Sequence, residues 1–276
     1  MRKEAFSLPL LALAAATSLA SAQAVPATQP ALLNIIREEI KPGRAGDHAK
    51  WEAGWPAAYA KANSPDAYLA LSSMTGANEV WYVSSYASHA AFGEGMKRDG
   101  ADAMLSSELD RLSKGDGEFL TSLRSFQALA RTDLSLGSFP DIARMRFWEI
   151  TIFRVRPGHD GQFEAAAKAY ISAAKRSAPS ANFRTYEVIA GIPSPTYVVF
   201  ASVPAFSDLD KVVANGMEIM KGATAEEGAA LQKFALEGQL SAETNRYRLD
   251  AAQSYVSKET RAVDPAFWMP KVPRKP

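Results

Sequence analysis

Hydrophobic positions in this chain switch between a period of two and a period near 3.6, and the switches mark the elements. Leu32–Ile40 alternates in part, carries β-branched residues and runs into Pro42-Gly43, which predicts a strand closed by a turn. Over residues 45–62 the aromatic side chains of Trp51, Trp55 and Tyr59 recur every fourth position. They fall on one face of a helix that Pro56 should kink. Residues 68–74 and 80–86 read as strands around the turn-rich Thr75-Gly76-Ala77-Asn78, so together they predict a hairpin. Helices over 88–97 and 101–112 and a strand over 124–130 complete a β-α-β-β-α-β unit with a helical insertion.

The same order returns further along. A strand over 147–156 meets Pro157-Gly158, and a helix over 162–175 places Phe163, Ala166, Tyr170 and Ala174 on one face. Strands over 183–189 and 196–202 flank Gly191-Ile192-Pro193-Ser194, followed by helices over 206–220 and 225–242 and a strand over 247–252. At one constant offset Pro42-Gly43 meets Pro157-Gly158, Gly46 meets Gly161, Gly76 meets Gly191 and Tyr82-Val83 meets Tyr197-Val198. An internal duplication accounts for these matches. It predicts an α+β fold in which two ferredoxin-like repeats, 32–134 and 145–255, pack their bare sheet faces together as a single-chain pseudo-dimeric α/β barrel around a central cavity.

The ends differ from the body. Arg2 and Lys3 precede an apolar stretch, residues 8–19, and then Ala20-Ser21-Ala22, the pattern of a signal peptide over 1–22. Export to a periplasm or the outside follows as an expectation, with no membrane span left after cleavage. A short linker, 23–31, leads into the first repeat, and 135–144, with Gly137 and Pro140, joins the two. The Pro-rich tail, 256–276, is expected to extend and to wrap a neighbour through Phe267 and Trp268.

Of 276 residues, 47% are apolar and 22% charged, which suffices for a sizeable core. Lys plus Arg number 31 against 30 Asp plus Glu, so the net charge of +1 makes no electrostatic case for nucleic acid. No cysteine is present, which removes disulfides, thiolate metal sites and thiol nucleophiles. Phosphate-binding glycine loops and the G-x-S-x-G elbow are also missing.

The succession of strand, Pro-Gly, amphipathic helix, hairpin with Gly76 or Gly191, then helix from Ala90-Ala91-Phe92 or Ala205-Phe206 resembles the dimeric α/β-barrel superfamily, here fused into one chain. Within it the chain looks most like the NIPSNAP-type proteins. The resemblance covers roughly residues 32–255 and implies a fold shared by cofactor-free monooxygenases, haem-dependent enzymes, isomerases and binding proteins. The monooxygenase branch carries an acid two residues before an aromatic on the third strand and a histidine on the next helix. Here Ser84 and Tyr86 hold the strand positions, Gly95 or Met96 falls where the histidine is expected, and the second copy offers Val199 and Ala201.

Three histidines exist. His48 and His159 follow the Pro-Gly turns and are expected as solvated helix starts, whereas His89 opens the helix after the third strand, near the cavity, as a candidate base or haem ligand. No H-x-x-x-H or H-E-x-x-H spacing occurs, so no metal site is expected. No cofactor is expected either, with haem kept as an alternative. Arg37 and Glu39 share a strand face, and with Arg154 they form a candidate charged set for an anionic or phenolic ligand. Trp81, Tyr86 and Tyr186, with Tyr82 and Tyr197, are candidate aromatic walls. Glu149, Glu187, Arg246 and Arg248 are weaker candidates of the same kind. The reading is a small-molecule binder, with an oxidoreductase or an interaction module as alternatives and a homodimer left open.

Overall fold

The computed structural model describes residues 25–269, so the expected signal peptide and Pro270, Pro273 and Pro276 of the tail lie outside the described residues. The first half runs β1 (Leu32–Ile40), α1 (Ala45–Glu52), α2 (Gly54–Lys61), β2 (Tyr68–Ser73), β3 (Glu79–Tyr86), α3 (His89–Ala101), α4 (Ala103–Asp116) and β4 (Leu120–Ala130). The second runs β5 (Phe147–Val155), α5 (Asp160–Ser177), β6 (Arg184–Ala190), β7 (Thr196–Val203), α6 (Leu209–Gly222), α7 (Ala225–Lys233) and β8 (Gln239–Tyr255). Two short helices, α8 (Lys258–Val263) and α9 (Pro265–Trp268), end the described chain.

All eight strands close into one antiparallel α+β barrel in the order β1-β3-β2-β8-β5-β7-β6-β4. Each half contributes a four-stranded sheet, β4-β1-β3-β2 and β8-β5-β7-β6, and the seams are β2 with β8 and β4 with β6. Strand alternation sends one set of side chains inward. Leu33, Ile35, Trp81, Phe126, Trp148, Ile150, Phe200 and Tyr247 meet there as one core from both halves. The other set faces the helices, where Ile40, Ala70, Val80 and Tyr82 pack in the first half and Phe163, Ala166, Tyr197 and Phe234 in the second.

Local chemistry sets the helix ends. The expected single helix over 45–62 is two, broken at Ala53, with Pro56 in the first turn of α2 where no intrahelical donor is needed. Trp51, Trp55 and Tyr59 pack largely against Leu105, Leu109 and Leu112 of α4 rather than on the sheet alone, and the Trp51 indole donates to the Leu112 carbonyl at 2.8 Å. Ser88 caps α3 and Asp102 caps α4, each accepting from backbone N–H groups of the first turn. In the second half Thr224 and Glu227 form a reciprocal capping box on α7.

Two expectations about the C-terminal third are corrected. The helix expected over 225–242 stops at Lys233, a π-turn spans Phe234–Gly238, and β8 then runs 17 residues rather than the few around 247–252. Leu, Ala and Glu in residues 240–243 favour helix in isolation, but pairing with β5 from Gln239 to Arg248 overrides that preference. Phe267 and Trp268 of the tail fold back onto their own chain. Trp268 is buried in the barrel core, its indole donates to the Ala143 carbonyl at 3.0 Å, and Arg146 lies 3.8 Å over the Phe267 ring. Among the described residues no helix is long and apolar enough to cross a membrane.

Candidate functional site

A cavity of about 660 Å³ lies in the second half between the helices and the outer face of the sheet. Small side chains create it: Thr151, Val199 and Ala201 on the strands face Ala166 and Ala167 on α5. Aromatic walls come from Phe153, Phe163, Tyr170, Phe183 and Phe234. Volume and lining match what a drug-sized planar ligand needs. Polar groups are few. Asp208 is bound to Lys211 at 2.7 Å, Asn215 stands on α6, and Glu149 on β5 receives Arg246 at 3.2 Å. Burial, reinforced by the Glu149 charge, pushes the Tyr170 phenol up, so Tyr170 is a neutral hydroxyl donor.

A second cavity, about 410 Å³, opens inside the barrel between the halves. Leu33, Leu71 and Val83 from the first half meet Trp148, Tyr186 and Phe200 from the second, with Tyr86 at the edge and residues 25–31 across the mouth. Arg184 joins the wall; its terminal nitrogens donate to the carbonyls of Leu136, Phe183, Gly137 and Ser138, while its Nε is buried without a partner.

The expected charged set is not brought together. Arg37 points into the barrel over the Trp81 ring and binds Glu79 at 2.7 Å, Glu39 is exposed and accepts from the Ser122 hydroxyl, and Arg154 is exposed at the strand end. Strand parity puts all three on the inward face, but Arg37 is engaged by Glu79 while Glu39 and Arg154 are exposed. Trp81 is fully buried, lines neither cavity and donates to Glu79. Tyr82 and Tyr197 face the helices instead of the interior. Glu187 is held by Arg131 at 2.9 Å. Of the histidines, His89 is exposed and lines neither cavity, and His159 bonds to Gln162 at the start of α5.

The expectation for His48 is overturned, since its relative exposure is 0%. α1 turns this face onto the sheet, and His48 meets Glu38 of β1, Glu52 of α1 and Asp116 of α4, all four buried, with one potential ligand atom each within 4.8 Å of one another. His48 Nε2 lies 3.1 Å from Glu38 Oε2 and 3.5 Å from Asp116 Oδ1. The Trp55 indole donates to Glu52 at 2.9 Å. Burial first, then the charges of Glu38 and Asp116, push the Glu52 carboxyl up to about 9, and burial and Glu38 push Asp116 up to about 6. Motif searching missed this group because its members come from three elements. A signal existed: His48 and Glu52 stand four apart on one helical face, and Glu38 interrupts the apolar positions Ile36 and Ile40 on the helix-facing side of β1.

No family model matches the chain, and no curated protein does. Solved structures do match. A candidate monooxygenase from Fusobacterium nucleatum superposes with TM-score 0.53 at 10% identity, covering 80% of this chain and 92% of the other. One from Lactobacillus acidophilus gives 0.51 at 8%, covering 83% and 97%. An anthrone oxidase-like protein gives 0.51 at 14%, covering 82% and 94%. At such identities the likeness is one of fold, that of the ferredoxin-like dimeric α/β barrel.

Proposed function

We propose that the protein binds a planar aromatic small molecule in the second-half cavity and oxidises it, with Glu149 as the proton acceptor. The observation that carries this reading is a 660 Å³ space whose aromatic walls enclose one carboxylate, Glu149, that is not engaged by a residue of the helices. Arg246 orients that carboxylate and Tyr170 supplies a neutral hydroxyl nearby. For a hydroquinone, transfer of two electrons and two protons to dioxygen gives the quinone and hydrogen peroxide, and Glu149 would take the first proton. The fold likeness to candidate monooxygenases and to an anthrone oxidase-like protein supports the oxidoreductase class. Neither cavity presents an imidazole among the described residues, so these walls do not fit a histidine-ligated haem and no step is routed through one.

The test is a panel of hydroxynaphthalenes, hydroquinones and anthrones, with binding followed by calorimetry and turnover by oxygen uptake. Glu149→Gln should keep binding and lose turnover about 100-fold, whereas Ala201→Trp should lose both by filling the cavity. Wild-type binding without oxygen uptake would reduce the protein to a binder, and absence of both would end this reading. A smaller anionic ligand is favoured at the barrel cavity instead, because the Arg184 Nε there is buried and unpartnered.

We further infer that residues 32–134 and 145–255 are tandem ferredoxin-like repeats, that the chain is nearest in pattern to NIPSNAP-type proteins, and that it is exported after cleavage at Ala22. The equal strand orders and the Pro-Gly matches support the first inference. The residues before Gln23 support the last.

A further inference from the structure

We propose that Glu38, His48, Glu52 and Asp116 form a closed site for one divalent transition-metal ion, Mn²⁺ or Zn²⁺, that clamps β1, α1 and the end of α4 together. The site is separate from both cavities, so it stands whatever the fate of the aromatic-oxidation reading.

Four observations converge. Metal–ligand bonds of about 2.0–2.2 Å put neighbouring donors roughly 3–3.5 Å apart; His48 Nε2 stands 3.1 Å from Glu38 and 3.5 Å from Asp116, and one ligand atom of each of the four residues lies within 4.8 Å of the others. The charge is unbalanced. Three carboxylates share a buried space with one imidazole, and among the described residues no lysine or arginine pairs with any of them. A buried group of this composition needs protons or a cation to offset its charge.

The third observation is an atom left over. Asp116 Oδ1 is buried and has no hydrogen-bond partner; its 3.5 Å approach to His48 lacks hydrogen-bond geometry, and it is aimed into the group. Buried carboxylate oxygens normally find a donor, and a cation would supply what this one lacks. His48 Nε2 lies within hydrogen-bond distance of Glu38 at 3.1 Å, where a metal ion would take the place of the proton between them, and Nδ1 is buried without a partner. The fourth is position. Asp116 is the last residue of α4, where the negative end of the helix dipole disfavours an acid and favours a cation.

One nitrogen and three carboxylate oxygens suit borderline or hard divalent ions. The group is fully enclosed and reached by neither cavity, so all ligand positions belong to the protein and the ion acts on stability rather than on substrate.

The experiment uses the full chain stripped with chelator and titrated with Mn²⁺ or Zn²⁺ by calorimetry, with melting followed in parallel. The expected result is one ion per chain and a melting temperature that rises on loading. Glu38→Gln and Asp116→Asn should each weaken binding about tenfold or more and remove the thermal shift. Should those variants fail to fold, X-ray absorption on Zn²⁺-loaded wild type decides the matter: a shell of one imidazole and oxygens supports the site, because His89 and His159 have no such carboxylates around them. No stoichiometric binding, a shell without imidazole, or binding that folded Glu38→Gln and Asp116→Asn leave unchanged would overturn the proposal.

Discussion

The Tyr247 hydroxyl, from the second half, donates to the Glu79 carboxylate of the first half at 2.6 Å inside the barrel. Glu79 also accepts from the Trp81 indole at 2.8 Å and takes Arg37 through two nitrogens at 2.7 and 3.1 Å. One buried carboxylate therefore ties three strands across the two halves. Glu79→Ala leaves Arg37 uncompensated and should cost about 3–5 kcal/mol, while Tyr247→Phe removes only one charge-assisted bond and should cost about 1.5–3 kcal/mol. Urea denaturation of both variants checks the order; a Tyr247→Phe loss equal to that of Glu79→Ala would contradict it.

Stability of the metal-free protein should fall as pH rises. The folded Glu52 carboxyl, at about 9 against an ordinary value of 4.5, holds its proton more tightly than the unfolded chain does. Its contribution is thus complete below pH 4.5 and is lost as pH climbs toward 9, and Asp116, raised to about 6, acts in the same direction at lower pH. The groups facing Glu52 are Glu38, Asp116 and His48, with the Trp55 indole and the Tyr82 and Tyr68 hydroxyls. Denaturation midpoints of chelator-treated protein between pH 5 and 9 should decline, and Glu52→Gln should flatten the decline. A level wild-type profile would refute the assignment.

Gly191 and Gly158 separate two kinds of glycine requirement. Both have positive φ, +99° and +83°. A Cβ on Gly191 would collide with the Ser125 carbonyl oxygen of β4, whereas one on Gly158 meets nothing within 4 Å. Gly158→Ala should cost about 1–2 kcal/mol from backbone conformation alone, and Gly191→Ala at least about 2 kcal/mol more because backbone cannot step aside. Equal melting temperatures for the two variants would show that β4 and the hairpin are less closely packed than this.

Trp268→Ala tests the tail. It removes a buried indole from the interior core and should cost about 3 kcal/mol, with no change in elution volume because the ring is covered by its own chain. A shift in oligomeric state without loss of stability would return Trp268 to a partner surface.

Strand periodicity and the paired Pro-Gly turns made the barrel elements legible, since those signals are local. Residues 239–246 were not, because their helix-forming composition yields to pairing with a strand far away in sequence. The same distance hid chemistry. Alternation placed Arg37 and Glu39 on one strand face without showing which face is inward, and the carboxylate that engages Arg37, Glu79, sits on another strand. His48 looked exposed because it follows a turn; only the seating of α1 on β1 and α4 buries it.

Closure of the sheet has a further consequence for how copies of this chain can meet. Every strand has two neighbours, so no edge is free to accept an incoming strand, and association by sheet extension requires a seam to open first. The weaker seam joins β4 to β6 over four residue pairs with an irregularity after Gln127. Only when the β2–β8 seam opens as well are two complementary half-barrels released, and exchange of halves between two chains would then rebuild every strand pairing with the same register as a swapped dimer.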